Sequence, residues 1–508
     1  MLTARRAACA VAAGLLLYAG HPPWDLTWAG YVALVPLLLL ARDLGAGPRP
    51  VRSGLLWGLL AGLVFFLPLL TWIGRFGVAP WLLLAAVEAL AVGAFTAIVA
   101  RWGDRAGRLP LAVAAWVGLE WLRSTVPLSG FPWGVLGYTQ HDGGLVLPVA
   151  RLLGVLGVSG VLAAVAASVE AGVMALWRRH WRALITPAVA LAVGAVLVVV
   201  TPAAPPSTGA TVDMAAVQGN DVELPAFVDR GDEMRILDIA TRMVAATERL
   251  GQMGPPPDVV VWPENALDSD PRTVPAVREQ VVEATRHIGD ATLLAGTLLD
   301  GETPRTFRNT IVRFGPDGDI VDAYDKRILV PFGEYVPWRA MFGNLPPLQA
   351  VPNDGIPGEE PKVFDIDGVV VGPVTCYESL YPSLVRDQVR EGAEVIVVST
   401  NNASFGRSPA SRQHLAFSQL RAVETGRWVM HAGISGISAV VDPDGGLSQQ
   451  TELFVQALVR ADLPLVAEPT PYIVIGDVVG PTAAALTAAA VGWLLWTRRR
   501  GQDRSSSL

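Results

Sequence analysis

Residues 369–382 read Val369–Val370–Val371–Gly372–Pro373–Val374–Thr375–Cys376–Tyr377–Glu378–Ser379–Leu380–Tyr381–Pro382. The valine-rich run reads as a short buried strand closed by Cys376. Tyr381–Pro382 opens a helix over 383–390, because proline suits the first helical turn. The junction is therefore a sharp strand-to-helix turn. Such a turn can expose a sulfur and leave backbone N–H groups free beside it.

The same alternation extends on both sides. Strands are expected at 211–217, 258–262, 292–298, 395–399, 428–432 and 438–441. Helices are expected at 232–250, 277–288 and 411–424. Segments 310–314 and 320–325 flank Gly315–Pro316–Asp317–Gly318 and read as a hairpin. This order implies an α/β layered domain with helices on both faces of its sheet structure. Three reactive side chains fall at strand ends: Glu264 after Val259–Pro263, Lys326 after the hairpin, and Cys376. Taken singly, each also has an ordinary structural reading.

Composition sets the frame around this domain. Of 508 residues, 51% are hydrophobic and only 17% charged. Soluble proteins carry about 25% charge, so disorder is excluded and the composition argues against an ordinary cytosolic enzyme. A net charge of −7 argues against a nucleic-acid partner. Only Lys326 and Lys362 are lysines among 39 basic residues. Six dispersed histidines offer no metal-ligand spacing, and no phosphate loop or nucleotide cofactor is implied. His414 and His431 read as structural.

Apolar segments at 7–20, 26–41, 54–74, 80–100, 109–123, 145–176, 184–202 and 478–497 predict eight membrane spans. The opening segment lacks a small-residue cleavage site and reads as a span rather than a signal peptide. The expected organisation is a seven-helix membrane domain (1–207), an inserted α/β domain (208–474), and an eighth helix with a basic tail (475–508). With the N-terminus inside, the inner connections carry Arg5, Arg6, Arg42, Arg49, Arg52, Arg101, Arg105, Arg108, Arg178, Arg179, Arg182, Arg498, Arg499, Arg500 and Arg504. The outer ones carry Arg75, Arg123 and Arg151. Fifteen against three satisfies the positive-inside rule and turns the inserted domain outward. Glu120–Arg123 reads as an interfacial anchor or part of a polar cavity. Gly130–Phe131–Pro132–Trp133 reads as a lipid entrance or an aromatic belt. Outside the cytoplasm a lone cysteine is a liability unless it has a function. Cys376 is the only cysteine of the insert, and Cys9 reads as a small residue of the first span.

Trp262–Pro263–Glu264, Asp325–Lys326 and Thr375–Cys376–Tyr377–Glu378, in this order and spacing, resemble the nitrilase superfamily. That superfamily places a Glu–Lys–Cys triad in an αββα sandwich. With the eight-span frame, the whole chain resembles the apolipoprotein N-acyltransferase family of the bacterial inner membrane. Gly130–Trp133, Gly137–Tyr138–Thr139–Gln140, Lys326 through Pro337, Phe405–Gly406 and Arg421–Ala422–Val423–Glu424 support this. The family usually reads Asn–Asp–Ala–Trp–Phe–Gly where this chain has Asn401–Asn402–Ala403–Ser404–Phe405–Gly406.

The resemblance implies Cys376 as nucleophile, Glu264 as general base and Lys326 as oxyanion partner. Glu334, Tyr377 and Glu378 match supporting residues. It further implies acyl transfer from a membrane phospholipid, through a cysteine thioester, to the α-amine of a diacylglyceryl-modified apolipoprotein. No cofactor is implied, and a monomer is expected. Burial of Glu264 and the charge of Lys326 are expected to bring the carboxyl and thiol pKa values together. Phe332, Tyr335, Trp338, Met341, Phe342 and Leu345 are candidates for an acyl channel or for packing, and 345–361 for a mobile lid. Two other readings stay open: a membrane-tethered nitrilase or amidase acting on a small soluble amide, and a transporter or scaffold whose outer domain only binds.

Overall fold

The computed structural model describes residues 2–221, 233–345, 348–349 and 351–505. Asp232 of the first expected helix, residues 346, 347 and 350 of the expected lid, and tail residues 506–508 lie outside them. The chain forms two compact units, Met1–Ala203 with Ile475–Leu508, and Ala204–Val474.

The first unit is helical. Among the described residues six helices are long and apolar enough to cross a membrane: Thr27–Gly45, Pro50–Leu69, Val78–Trp102, Leu147–Trp177, Trp181–Val200 and Val479–Thr497. Helices also occupy the other two expected spans. One, Leu2–Ala19, carries Arg5 and Arg6 in its first turns, and the other, Arg108–Arg123, has only 16 residues. Charge and length keep these two out of the apolar set.

Of the two readings of the sequence, the structure favours the cavity: Glu120 and Arg123 line a small cavity with Phe65, Phe66 and Trp116. Arg123 pairs with Glu88 at 3.0 Å and donates to the carbonyls of Phe131 and Trp133 at 3.2 and 2.7 Å. Glu120 accepts the Leu136 N–H at 2.7 Å. Both side chains thus hold the 131–136 segment in place. That segment is no exposed belt: Trp133, Leu136 and Tyr138 are buried, and Trp133 lies 4.8 Å from Trp72, centroid to centroid.

The second unit is a four-layer αββα sandwich. In chain order its strands are β1 (Thr211–Gln218), β2 (Val259–Leu267), β3 (Thr292–Asp300), β4 (Thr306–Phe314), β5 (Ile320–Asp325), β6 (Asp354–Gly355), β7 (Phe364–Ile366), β8 (Val369–Thr375), β9 (Val395–Thr400), β10 (Val429–Gly433), β11 (Ala439–Val441), β12 (Leu447–Ser448) and β13 (Ala457–Pro464). One sheet runs β13-β1-β2-β3-β4-β5, with β6 beside β4, and the other β12-β11-β10-β9-β8-β7.

Period-two burial explains the layering. Val259, Val261, Val395 and Val397 face the core between the sheets. Val260 and Trp262 face helices Glu233–Gln252 and Pro275–Ile288. Ile396 and Val398 face helices Pro382–Arg390 and Ala410–Thr425. The hairpin forms as expected, with Thr310 opposite Asp325.

Three features depart from expectation. Strand β13, antiparallel to β1, was not anticipated, because its sequence Ala457–Pro464 alternates only weakly. Strand β2 continues through Glu264 instead of ending before it, with a register shift against β3 between Trp262 and Leu267. The 345–361 segment is tied down past its middle: Asp354 and Gly355 pair with β4, and Asp354 binds Arg339 through Nε at 2.7 Å. Backbone pairing wins there over the proline-rich composition.

The bulge in β2 depends on a missing side chain. A Cβ built on Gly296 of β3 would lie 2.5 Å from Glu264 Cα and 2.6 Å from the Pro263 carbonyl oxygen. Both obstacles are backbone and cannot rotate away. Gly296→Ala is expected to lower stability by about 1–3 kcal/mol through overpacking. Thermal unfolding of the detergent-solubilised protein, which should show a lower Tm, checks this.

Candidate active site

Glu264, Lys326, Glu334 and Cys376 converge at one end of the sandwich. Lys326 directly follows β5, and its backbone N–H donates to the Asn309 carbonyl at 2.8 Å. Its side chain is only 1% exposed, and its Nζ lies 3.0 Å from Glu264 Oε1 and 3.0 Å from Glu334. Asn309, on β4, donates its amide group to Glu264 Oε1 at 2.8 Å and to Glu334 Oε1 at 2.7 Å. The second oxygen of Glu264 accepts the Asn401 N–H at 2.9 Å. Glu334 Oε2 accepts the Val330 N–H at 2.7 Å and so closes its own turn.

Cys376 stands at the strand-to-helix junction with φ +47°, a left-handed conformation that costs a non-glycine residue about 1 kcal/mol or more. The turn places the thiol beside Glu264, near enough for the two groups to shift one another's pKa. The sulfur is buried, not exposed as the turn alone suggested, because Thr400 covers it with its hydroxyl 3.3 Å away.

Glu378 lies behind this junction and does not reach the sulfur. Its carboxylate accepts the N–H groups of Thr375 at 2.8 Å and Arg327 at 2.6 Å, and the Tyr324 hydroxyl at 2.9 Å. One buried side chain thereby fastens the turn that carries Cys376 to the chain leaving Lys326. Burial pushes its carboxyl above the usual range, against the lowering effect of these donors. Tyr377 is buried and stacks edge-on against Tyr381 at 5.3 Å.

The electrostatics run opposite to the expected convergence of pKa values. Burial alone would raise Glu264, but the ammonium of Lys326 outweighs it and holds the carboxyl below its ordinary value. Burial and then the nearby Glu264 charge push the Cys376 thiol well up, and Lys326 offsets only part of this. Lys326 itself is held protonated, because the two carboxylates outweigh the burial that disfavours its charge. At rest the site therefore holds a neutral thiol, an ionised carboxylate and an ammonium.

Of the six candidate lining residues, Phe332, Trp338, Met341 and Leu345 are exposed. Tyr335 and Phe342 are half-buried, the latter edge-on to Trp338. They are not core packing. Asn309 and Thr400 were missed by sequence reasoning, whereas His414, read as structural, braces the backbone behind the sulfur. The imidazole of His414 touches the Cys376 carbonyl at 3.1 Å and Asn402 Oδ1 at 2.9 Å, so it is more than filler.

Burial lowers the His414 pKa from 6.5 to about 4. Between these values the unfolded chain binds the proton and the folded one does not. The stabilisation is therefore complete above pH 6.5 and is lost as pH falls, reaching about 3 kcal/mol near pH 4. Thermal unfolding followed from pH 7.5 to 4.5 should show this decline, and a His414→Gln variant should show a flatter one.

Residues 13–168 match the family described as "Apolipoprotein N-acyltransferase N-terminal domain", and residues 213–468 the family described as "Carbon-nitrogen hydrolase". The apolipoprotein N-acyltransferase of Mycolicibacterium smegmatis is 35% identical over 96% of this chain and 84% of its own. That of Brucella melitensis biotype 1 is 32% identical over 98% and 97%. A solved amidase from Nesterenkonia sp. is 20% identical over 50% of this chain and 91% of its own, with a TM-score of 0.36. With a matching N-terminal family domain and relatives this similar over nearly its whole length, the chain belongs to the apolipoprotein N-acyltransferase family.

Proposed function

We propose that this protein is a membrane N-acyltransferase that moves a fatty acyl chain from a phospholipid to the N-terminal diacylglyceryl-cysteine of apolipoproteins. The observation that carries the chemistry is the convergence of the buried Cys376 thiol with the Glu264 carboxylate, which lies 3.0 Å from the buried Lys326 ammonium. In the first half-reaction Cys376 Sγ attacks the ester carbonyl carbon of the phospholipid, and its proton passes to Glu264. Unperturbed thiol and carboxyl differ by about four pKa units, or roughly 6 kcal/mol. The site widens that gap, so the proton moves as the C–S bond forms and not before it.

The negative oxygen of the tetrahedral intermediate lies against the Lys326 ammonium and the backbone N–H of Tyr377. Such donors contribute about 3–4 kcal/mol each. Collapse breaks the C–O bond, Glu264 returns the proton to the leaving alkoxide, and a lysophospholipid departs. In the second half-reaction the acceptor amine attacks the thioester, Glu264 takes its proton, and the C–S bond breaks. The returning proton restores the Cys376 thiol, and the product is an amide.

The substrate accounts for the membrane unit. Moving a chain of about 16 carbons into water costs on the order of 12 kcal/mol, so the enzyme works where the lipid already is. The exposed apolar side chains of Phe332, Trp338 and Met341 suit contact with acyl chains. We read all eight helices as spans in the bacterial inner membrane. The arginine distribution supports a catalytic domain outside the cytoplasm. Glu264, Lys326 and Cys376 act on the substrate, while Glu334, Tyr377 and Glu378 hold these groups in place.

Incubation of the purified protein with labelled phospholipid and no acceptor should give an acyl adduct on Cys376, detected by mass spectrometry. Cys376→Ala should give none. Glu264→Gln should form it about 10²–10⁴-fold more slowly. A wild-type protein that stays unmodified while a diacylated lipopeptide still gains a third chain would contradict the covalent route.

A further inference from the structure

The hydroxyl of Thr400, the last residue of β9, lies among three acceptors. Cys376 Sγ is 3.3 Å away, Asn402 Oδ1 2.9 Å and His414 Nδ1 3.3 Å. A hydroxyl has one proton to donate, so at most one of these is served. The Asn402 NH₂ group, in turn, is buried with no partner among the described residues. Orphaned buried N–H groups are rare and costlier than an under-used carbonyl oxygen. The two ends of a carboxamide have nearly the same shape, so the hydrogen-bond surroundings decide which end faces where.

His414 supplies those surroundings. Its Nδ1 is 2.9 Å from the Asn402 amide, and its Nε2 is 3.1 Å from the Cys376 carbonyl and 2.9 Å from Ser379 Oγ. Neutral imidazole carries one N–H. The Cys376 carbonyl can only accept, so the N–H belongs on Nε2 and Nδ1 is left needing a donor. The carboxamide turned about its axis serves both Nδ1 and the Thr400 hydroxyl, and leaves only its Oδ1 under-used in the place where the NH₂ had no partner. Its NH₂ then donates one hydrogen to His414 Nδ1 and the other to Thr400 Oγ1.

We propose that Asn402 points its NH₂ at Thr400 and His414, which commits the single Thr400 proton to Cys376 Sγ. Thr400 and Asn402 are then positioning residues that stabilise the developing thiolate. An aspartate at 402, as in the family pattern, can only accept, and it would draw the Thr400 proton away from sulfur. This chain thereby gives its nucleophile a donor that the aspartate version lacks. The inference rests on Cys376 being the nucleophile. The other ionisable groups facing the sulfur are Glu264 from β2 and Lys326 after β5, with Glu334 beyond the lysine and Glu378 turned away behind the junction.

The test uses the full-length protein in detergent with Cys9→Ser, so that Cys376 is the only thiol. Its alkylation by iodoacetamide is followed from pH 6 to 11, a readout that involves no lipid and so stands apart from acyl transfer. Asn402→Asp should slow alkylation at pH 8 about tenfold and move the profile up by about one pH unit. Thr400→Val should do the same, and Thr400→Ser should retain the parent profile. In a Thr400→Val background, Asn402→Asp should add less than about twofold, because the relay is already cut. An equal effect of Asn402→Asp with and without the Thr400 hydroxyl would mean a through-space charge effect and overturn the relay. So would an unchanged profile in Thr400→Val, whose native fold is checked by its Tm.

Discussion

A single buried ammonium organises the catalytic domain. Placing an ion such as Lys326 out of water costs several kcal/mol, and only close, well-aligned counter-charges offset that. Glu264 and Glu334 provide them from two directions, and Asn309 ties the two carboxylates together on the far side. Each of these groups comes from a different part of the chain. The bulge in β2, the end of β5, the turn at 330–334 and the middle of β4 must all be in register before the charge is tolerated. Removing either carboxylate would leave an uncompensated charge, at a cost of about 3–5 kcal/mol. Stability and chemistry thus draw on the same contacts.

The second tier is the clamp formed by Glu378. It accepts N–H groups from both Thr375 and Arg327, which adjoin Cys376 and Lys326. The left-handed turn at Cys376 is costly in isolation, and this clamp is one reason it persists. On the proposed mechanism, a neutral thiol beside an ionised base keeps the attacking group latent between substrates. The thiolate then forms only when a carbonyl is present to receive it.

Much of this was legible in the sequence, and the limits have physical causes. Lys326 and Cys376 each follow a strongly patterned strand, Glu264 lies within the continuation of another, and their joint order and spacing marked them where each alone did not. Asn309, Thr400 and His414 occupy unremarkable positions inside a hairpin strand, a buried strand and a helix. Their roles arise only from pairing between elements distant in sequence, as when Asn309 meets a carboxylate 45 residues before it. At 345–361 the proline-rich composition gives no sign of the pairing of Asp354–Gly355 with β4, because that contact too joins elements distant in sequence. The direction of the thiol shift was missed for a related reason. The resemblance implies that Lys326 is near Cys376, but not that it is engaged by two carboxylates.

Strand β13 carries a consequence for biogenesis. It covers β1 along eight residue pairs, from Thr211 opposite Pro464 to Gln218 opposite Ala457, whereas β1 meets β2 through only three. The strand made first in this domain is therefore completed by the one made last. Until the ribosome has passed residue 464, β1 presents an open edge able to pair with other chains. A nascent chain halted before that point exposes an adhesive ribbon, which makes the interval between these two strands the period when quality control matters most.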